Sequence, residues 1–182
     1  MARRFEVSFG GNDPIDGHCA SDICIRYVYS LGQSTVLRLI LFAHLGATLY
    51  MLGVIWMVQL SHYPLMALVG RDHMSAWQAE NLRRTSWVVG IPMLLEACTA
   101  GALLWSPAAA HLGLWPTVGG VLLVAVWGST ALVQVPAHES LARSLDPTMV
   151  ARLVSTNWVR TVLWTLRAGL AVVMVNLSWG LS

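Results

Sequence analysis

The sequence predicts an all-α fold: an integral membrane four-helix bundle whose second and fourth helices extend beyond the bilayer on one side. Three observations predict it. The 182-residue chain is 56% hydrophobic and only 11% charged, with a mean hydropathy of +0.61, whereas soluble domains carry about 25% charged residues. The charges cluster between apolar runs. Four of those runs reach the length of ~20 residues that spans hydrocarbon. Lipid offers no partner for unpaired backbone, so such runs cross as helices.

Residues 1–34 read as a polar N-terminal tail, interrupted by Gly, Asp and Pro and without the apolar core of a signal peptide. The first span therefore directs insertion. Within the tail, His18, Cys19 and Cys24 lie close together but lack zinc-site spacing. Three Cys build no disulfide framework, and Cys98, inside an apolar run, reads as a small hydrophobe.

Residues 35–182 read as one domain of four spans. The first runs from about Val36 to Leu60, the second from Trp87 to Trp105, the third from Pro116 to Val135 and the fourth from Trp158 to Trp179. The short uncharged segment from Ser106 to Trp115 makes the middle two spans a tight antiparallel hairpin. The other connections are longer and charged, and lie on the opposite face, side B. Both termini lie on side A. Asp146 followed by Pro147 is an N-cap and an N1 proline, so the fourth helix starts there, several turns before its span. Asp72 is placed to cap an early start of the second helix. Trp56, Trp87, Trp105, Trp115, Trp158 and Trp179 fall near span ends, as in an aromatic belt.

The chain has 11 Arg and no Lys. Side B holds Arg71, Arg83, Arg84, Arg143, Arg152 and Arg160, while side A holds Arg3, Arg4, Arg26 and Arg38. The excess assigns side B to the cytoplasm and both termini to the outside, as in a multi-pass protein of a bacterial inner membrane. A net charge of +2 is too small to point to nucleic acid. The partners expected are the lipid bilayer and a small lipophilic ligand, with a second copy or a membrane complex also open.

Each span carries one polar-bearing stripe. The first has His44, Thr48, Met51, Ile55, Gln59 and His62 at steps of three and four. The second has Thr85, Val89, Pro92, Glu96 and Thr99; the third has Trp127, Thr130, Gln134 and His138; the fourth has Asn157, Arg160, Thr161, Trp164 and Arg167. In lipid such stripes face neighbouring helices. Glu96 and Arg167 each lie about 13 Å from the side B end of their span, and His44 about 12 Å from the side A end. These three form a mid-bilayer layer. Gln59, His62, Thr85, Gln134, His138, Asn157 and Arg160 form a second layer at the side B mouth, with His73 near it. Pro92 kinks the second helix one turn from Glu96 and is placed to open a cavity beside the carboxylate.

Glu96 and Arg167 read equally as a structural ion pair that fixes register and as a proton or substrate site, because intramembrane ionisable residues are expensive. His62, His138 and His73 form a candidate transition-metal set through neutral imidazole nitrogens; otherwise each is an interfacial His bonded to loop backbone. Haem requires two imidazoles at matched depth inside the spans, which the sequence does not supply. Nucleophile, phosphate-loop and dinucleotide motifs are absent.

Four segments carry a resemblance: His62-Tyr63-Pro64, Arg84 through Glu96, Gln134 through His138, and Asn157-Trp158-Val159-Arg160-Thr161. Together, over about Leu37 to Val175, they resemble a family of small four-helix bacterial membrane proteins without assigned function. The proline-containing end of the third helix and the Asn-Trp-x-Arg-Thr start of the fourth more distantly resemble the anthrone-oxygenase-like membrane proteins. That resemblance implies oxygenation of polycyclic aromatic substrates.

Two function classes follow. In the first, the bundle binds a quinone-like or aromatic molecule and acts as a membrane oxidoreductase. Glu96, Arg167 and Arg160 are then the catalytic candidates, with Glu96 exchanging protons beside Arg167. Asn157, Gln134, Gln59 and His44 orient the substrate, and Trp127 and Trp164 stack on it. In the second, the chain is a non-catalytic small subunit or assembly factor and the ion pair is architectural. A proton-coupled carrier fits less well, because no broken-helix repeat is present.

Overall fold

The computed structural model describes residues 17–143 and 147–179. These residues are helical almost throughout, with no strand among them. The chain divides into two units, Met1–Thr35 and Val36–Ser182. The elements below belong to the second, apart from the start of α1.

The first column is α1 (Gly17–Met57), a widened π turn (Val58–His62) and α2 (Tyr63–Met66). The second is α3 (Arg71–Trp105). A 3-10 turn (Pro107–Leu112) leads to α4 (Trp115–Ser129), a second π turn (Thr130–Gln134) and α5 (Val135–Arg143). The last column is α6 (Pro147–Trp179). Four stretches are long and apolar enough to cross a membrane: Ile25–Met66, Asp72–Trp105, Trp115–Leu141 and Val150–Trp179. The four-helix membrane bundle expected from hydropathy is the fold.

The expected boundaries change in three ways. Helix α1 begins at Gly17, so half of the segment read as a tail is helical; no proline interrupts residues 17–63. The side chains of His18, Cys19 and Cys24 lie outside the described residues, as does Asp146, although α6 does start at Pro147. Extension beyond the apolar windows is general, since the first and third columns also continue through α2 and α5. Finally, α3 starts one residue before Asp72. Its N-cap is Gly70, with no side-chain cap, and the Gly70 carbonyl accepts from His73 N–H at 3.0 Å. Asp72 instead supplies negative charge to the first turn.

Both π turns end two residues before a proline, Pro64 in one column and Pro136 in the other. Proline has no N–H, and in α geometry its ring meets the carbonyl four residues back. A widened turn relieves that clash without ending the helix, and such turns recur at functional sites.

Apolar and polar layers alternate along the columns. Leu37, Leu41, Leu103, Ala109, Leu112 and Met174 close the side A end, where the 3-10 turn folds inward and Gly113 takes the positive φ of 61° that turns the chain into α4. Met51, Ile55, Val126 and Trp164 fill the middle, and Tyr63, Met66, Met74, Leu141 and Leu153 fill the side B end. Polar layers lie between these three clusters. Lipid is as apolar as Leu, so dispersion and hydrogen bonding, rather than water exclusion, hold the spans together.

Candidate functional site

The deeper polar layer is closed. Glu96 and Arg167 are 0% and 1% exposed. Arg167 Nη2 donates to Glu96 Oε1 at 3.2 Å, and the Trp164 indole Nε1 donates to Glu96 Oε2 at 3.1 Å. Arg167 Nη1 donates to the carbonyl of Gly119, whose second lone pair is free for it beyond the helix ladder. A β-carbon at Gly119 would come within 2.9 Å of Leu170 Cδ2, the flexible end of that side chain, so the close approach of α4 here leaves room for a small residue. The His44 ring Nδ1 lies 2.8 Å from Thr99 Oγ1, one turn beyond Glu96. The expected layer of Glu96, Arg167 and His44 is therefore assembled, with Thr99 added to it.

The side B layer is larger and interconnected. Asn157 Nδ2 donates to Gln59 Oε1 at 2.8 Å, and Gln59 Nε2 donates to the Val154 carbonyl at 3.3 Å. Arg160 Nη1 donates to Asn157 Oδ1 at 3.3 Å, and its guanidinium carbon lies 5.3 Å from the centre of the Trp164 ring. A second chain crosses four columns. Asn81 Nδ2 donates to Gln78 Oε1 at 3.5 Å, and Gln78 Nε2 lies 3.2 Å from His138 Nδ1. The Tyr63 hydroxyl lies 3.4 Å from His138 Nε2 and donates to Gln134 Oε1 at 3.3 Å. Gln134 Nε2 donates to Thr156 Oγ1 at 3.0 Å. Gln78 as donor makes His138 Nδ1 an acceptor, so the neutral ring carries its proton on Nε2 and directs it at Tyr63.

A cavity of about 260 Å³ opens beside this layer. Val54, Ile55, Val58, Leu82, Val88 and Val89 supply apolar wall, and His62, Tyr63, Asn81, Thr85, Gln134, His138 and Arg160 supply polar wall. Arg84 also lines it and is held by Glu80 at 2.6 Å. Arg160 differs. Among the described residues no carboxylate lies within ion-pair distance of it, and its buried Nε has no hydrogen-bond partner.

Several expected site residues fall elsewhere. Glu96 and Pro92 do not line the cavity, which lies nearer side B than the kink. Trp127 is 38% exposed on the outer face of α4, so it cannot stack on a ligand in this cavity. Counting back from Gln134 at helical steps selects Trp127, but the π turn adds a residue and brings Val126 inward instead. Trp164 is fully buried between Arg160 and Glu96 and touches both, away from the cavity wall. His44 belongs to the deeper layer and does not reach the cavity.

The metal set is not assembled: no group of three His, Cys, Asp or Glu fit to hold an ion occurs among the described residues. His62 stacks on Trp77 at 5.4 Å, both nitrogens of His138 are engaged, and His73 is exposed. Conversely, Tyr63, Gln78 and Asn81 are site residues that the stripes missed. Tyr63 lies four residues after Gln59, the other same-face helical step, and it rather than His62 is buried. Gln78, Asn81 and Thr85 follow steps of three and four, a signal that was present in the polar start of α3.

Comparison with family models, curated proteins and solved structures gives no match.

Proposed function

We propose that this chain is a multi-pass protein of a bacterial inner membrane that binds a small lipophilic molecule, quinone-like or polycyclic aromatic, in the cavity beside Arg160. One observation carries the reading: the half-buried Arg160, with a buried Nε and no carboxylate within ion-pair distance among the described residues, lines a mainly apolar cavity. A charge drawn partly out of water without a counter-ion is costly, and a ligand oxygen offsets that cost. Pockets for small molecules combine apolar walls with a few fixed polar groups. Tyr63, Gln134 and His138 are such groups here, held by the chain that runs from Gln78 to Thr156.

Glu96 and Arg167 act as a lock in this reading. The carboxylate oxygens are both taken, and the layer of Met51, Ile55 and Val126 lies on its cavity side. Oxidation of the bound ring is the enzymatic form of the proposal, and its support is the short motifs around Gln134–His138 and Asn157–Thr161. The arginine excess on side B supports termini outside. The reading as a small subunit, or as a homo-oligomer, has only the outward apolar faces for support, and lipid covers such faces equally well.

A photoreactive azido-naphthoquinone tests the site. Labelling of the detergent-purified protein should be competed by unlabelled naphthoquinone and map to residues 81–89 and 130–138. Competable labelling confined to residues 93–99, or none that is competed, would overturn the proposal.

A further inference from the structure

The charge inside the cavity narrows the ligand class, an inference that rests on the proposed binding site. Five titratable side chains line the cavity: His62, Tyr63, Arg84, His138 and Arg160. None is a carboxylate. Arg84 is exposed at the rim and shares the Glu80 carboxylate with Arg83, at 2.6 and 2.7 Å. The deeper charges neutralise each other, since Arg167 lies 3.2 Å from Glu96. Arg160 is thus left with one neutral amide oxygen, at 3.3 Å, and the face of Trp164. Its buried Nε, like that of Arg167 in the closed layer, has no hydrogen-bond partner among the described residues. Among the described residues the cavity wall carries positive charge and no carboxylate.

We infer that the ligand binds as an anion: a weakly acidic lipophile whose ionised oxygen pairs with Arg160 while its ring body fills the apolar wall. In low dielectric a charge-assisted bond to guanidinium is stronger than a bond between neutral groups. The site therefore selects the ionised form and stabilises it at pH values where the free molecule is largely protonated. An acidic ring hydroxyl and an alkyl carboxylate share this chemistry. The proposed ring ligand is the occupant, and about 260 Å³ holds a bicyclic ring.

Three probes separate these outcomes in the full chain in mild detergent: 2-hydroxy-1,4-naphthoquinone, unsubstituted 1,4-naphthoquinone and decanoate. Absorbance reports ionisation of the hydroxyquinone directly. The expected result is that the hydroxyquinone binds about tenfold or more tighter than the unsubstituted quinone. Its bound spectrum should be that of the anion at a pH below its free pKa. Arg160→Gln should remove that preference while keeping weak binding of the unsubstituted quinone. Tight decanoate binding with no hydroxyquinone preference would assign the anion to an alkyl carboxylate and overturn the ring. Equal binding of both quinones by the wild type, with the bound hydroxyquinone protonated, would overturn the inference and leave the lipophile site standing. No binding of any probe would overturn both. The wild-type spectrum decides the matter even if the variant does not fold.

Discussion

Trp164 donates its indole N–H to Oε2 of Glu96 across 3.1 Å. The face of the same ring system lies under Arg160, with 5.3 Å between guanidinium carbon and ring centre. A single buried side chain thus joins the mid-bilayer ion pair to the side B cavity. It also completes the hydrogen bonding of a carboxylate that lipid would otherwise make very costly. The predictions below follow from this division between a closed lock and an open site.

Removing one partner of the lock should be far worse than removing both. Glu96→Leu leaves Arg167 buried at 1% exposure without its carboxylate. The expected loss is about 3–5 kcal/mol. Glu96→Leu combined with Arg167→Met should be more stable than either single variant. Reversible unfolding in mixed detergent micelles measures all three.

Trp164→Phe keeps most of the ring volume and removes the donor to Glu96. A buried charged acceptor then loses one of its two donors, at a cost of about 1–3 kcal/mol. The same unfolding assay reads this. An unchanged stability would mean that the indole bond contributes nothing.

Tyr63→Phe cuts the chain between His138 and Gln134. A loss of about 1–2 kcal/mol is expected, because both buried partners lose a bond. Slow amide exchange near residues 134–138 should quicken, with the rest of the bundle unaffected.

Gly119 should tolerate Ala and reject Leu. An added β-carbon meets only the flexible end of Leu170, at 2.9 Å. A larger side chain must push α4 away from α6 and from Arg167, which donates to the Gly119 carbonyl. Overpacking of this kind costs about 1–3 kcal/mol. Trp127→Leu, on an outward face at 38% exposure, should instead stay within about 0.5 kcal/mol of wild type.

Much of this was legible in the sequence because lipid makes polar residues informative. In the first stripe His44, Thr48, Met51, Ile55 and Gln59 are buried and His62 is half-buried; in the fourth Asn157, Thr161, Trp164 and Arg167 are buried and Arg160 is half-buried. Each expensive side chain had to turn inward, and helical spacing then fixed the face. The reading failed where the spacing changes. The π turn at Thr130–Gln134 adds a residue, and this moves Trp127 outward and brings Val126 inward; at the first column the choice between His62 and Tyr63, three and four residues after Gln59, was open by spacing. Pro64 and Pro136 mark both places, but a proline does not reveal whether the chain will widen, kink or stop. Pro92 shows the ambiguity, since α3 passes through it without a π turn. The cavity lies at the side B mouth, along His62, Gln134, His138 and Arg160, and does not extend past the Pro92 kink to Glu96.

Ligand titration of three proteins tests the central claim most directly. Quenching of tryptophan fluorescence by 1,4-naphthoquinone or its 2-hydroxy form gives an affinity for wild type, Arg160→Gln and Glu96→Gln. The Arg160 site predicts saturable binding by the wild type, about tenfold weaker hydroxyquinone binding by Arg160→Gln, and wild-type affinity in any folded Glu96→Gln protein. Loss of binding in Glu96→Gln, with Arg160→Gln unaffected, would contradict it and move the working centre to the ion pair.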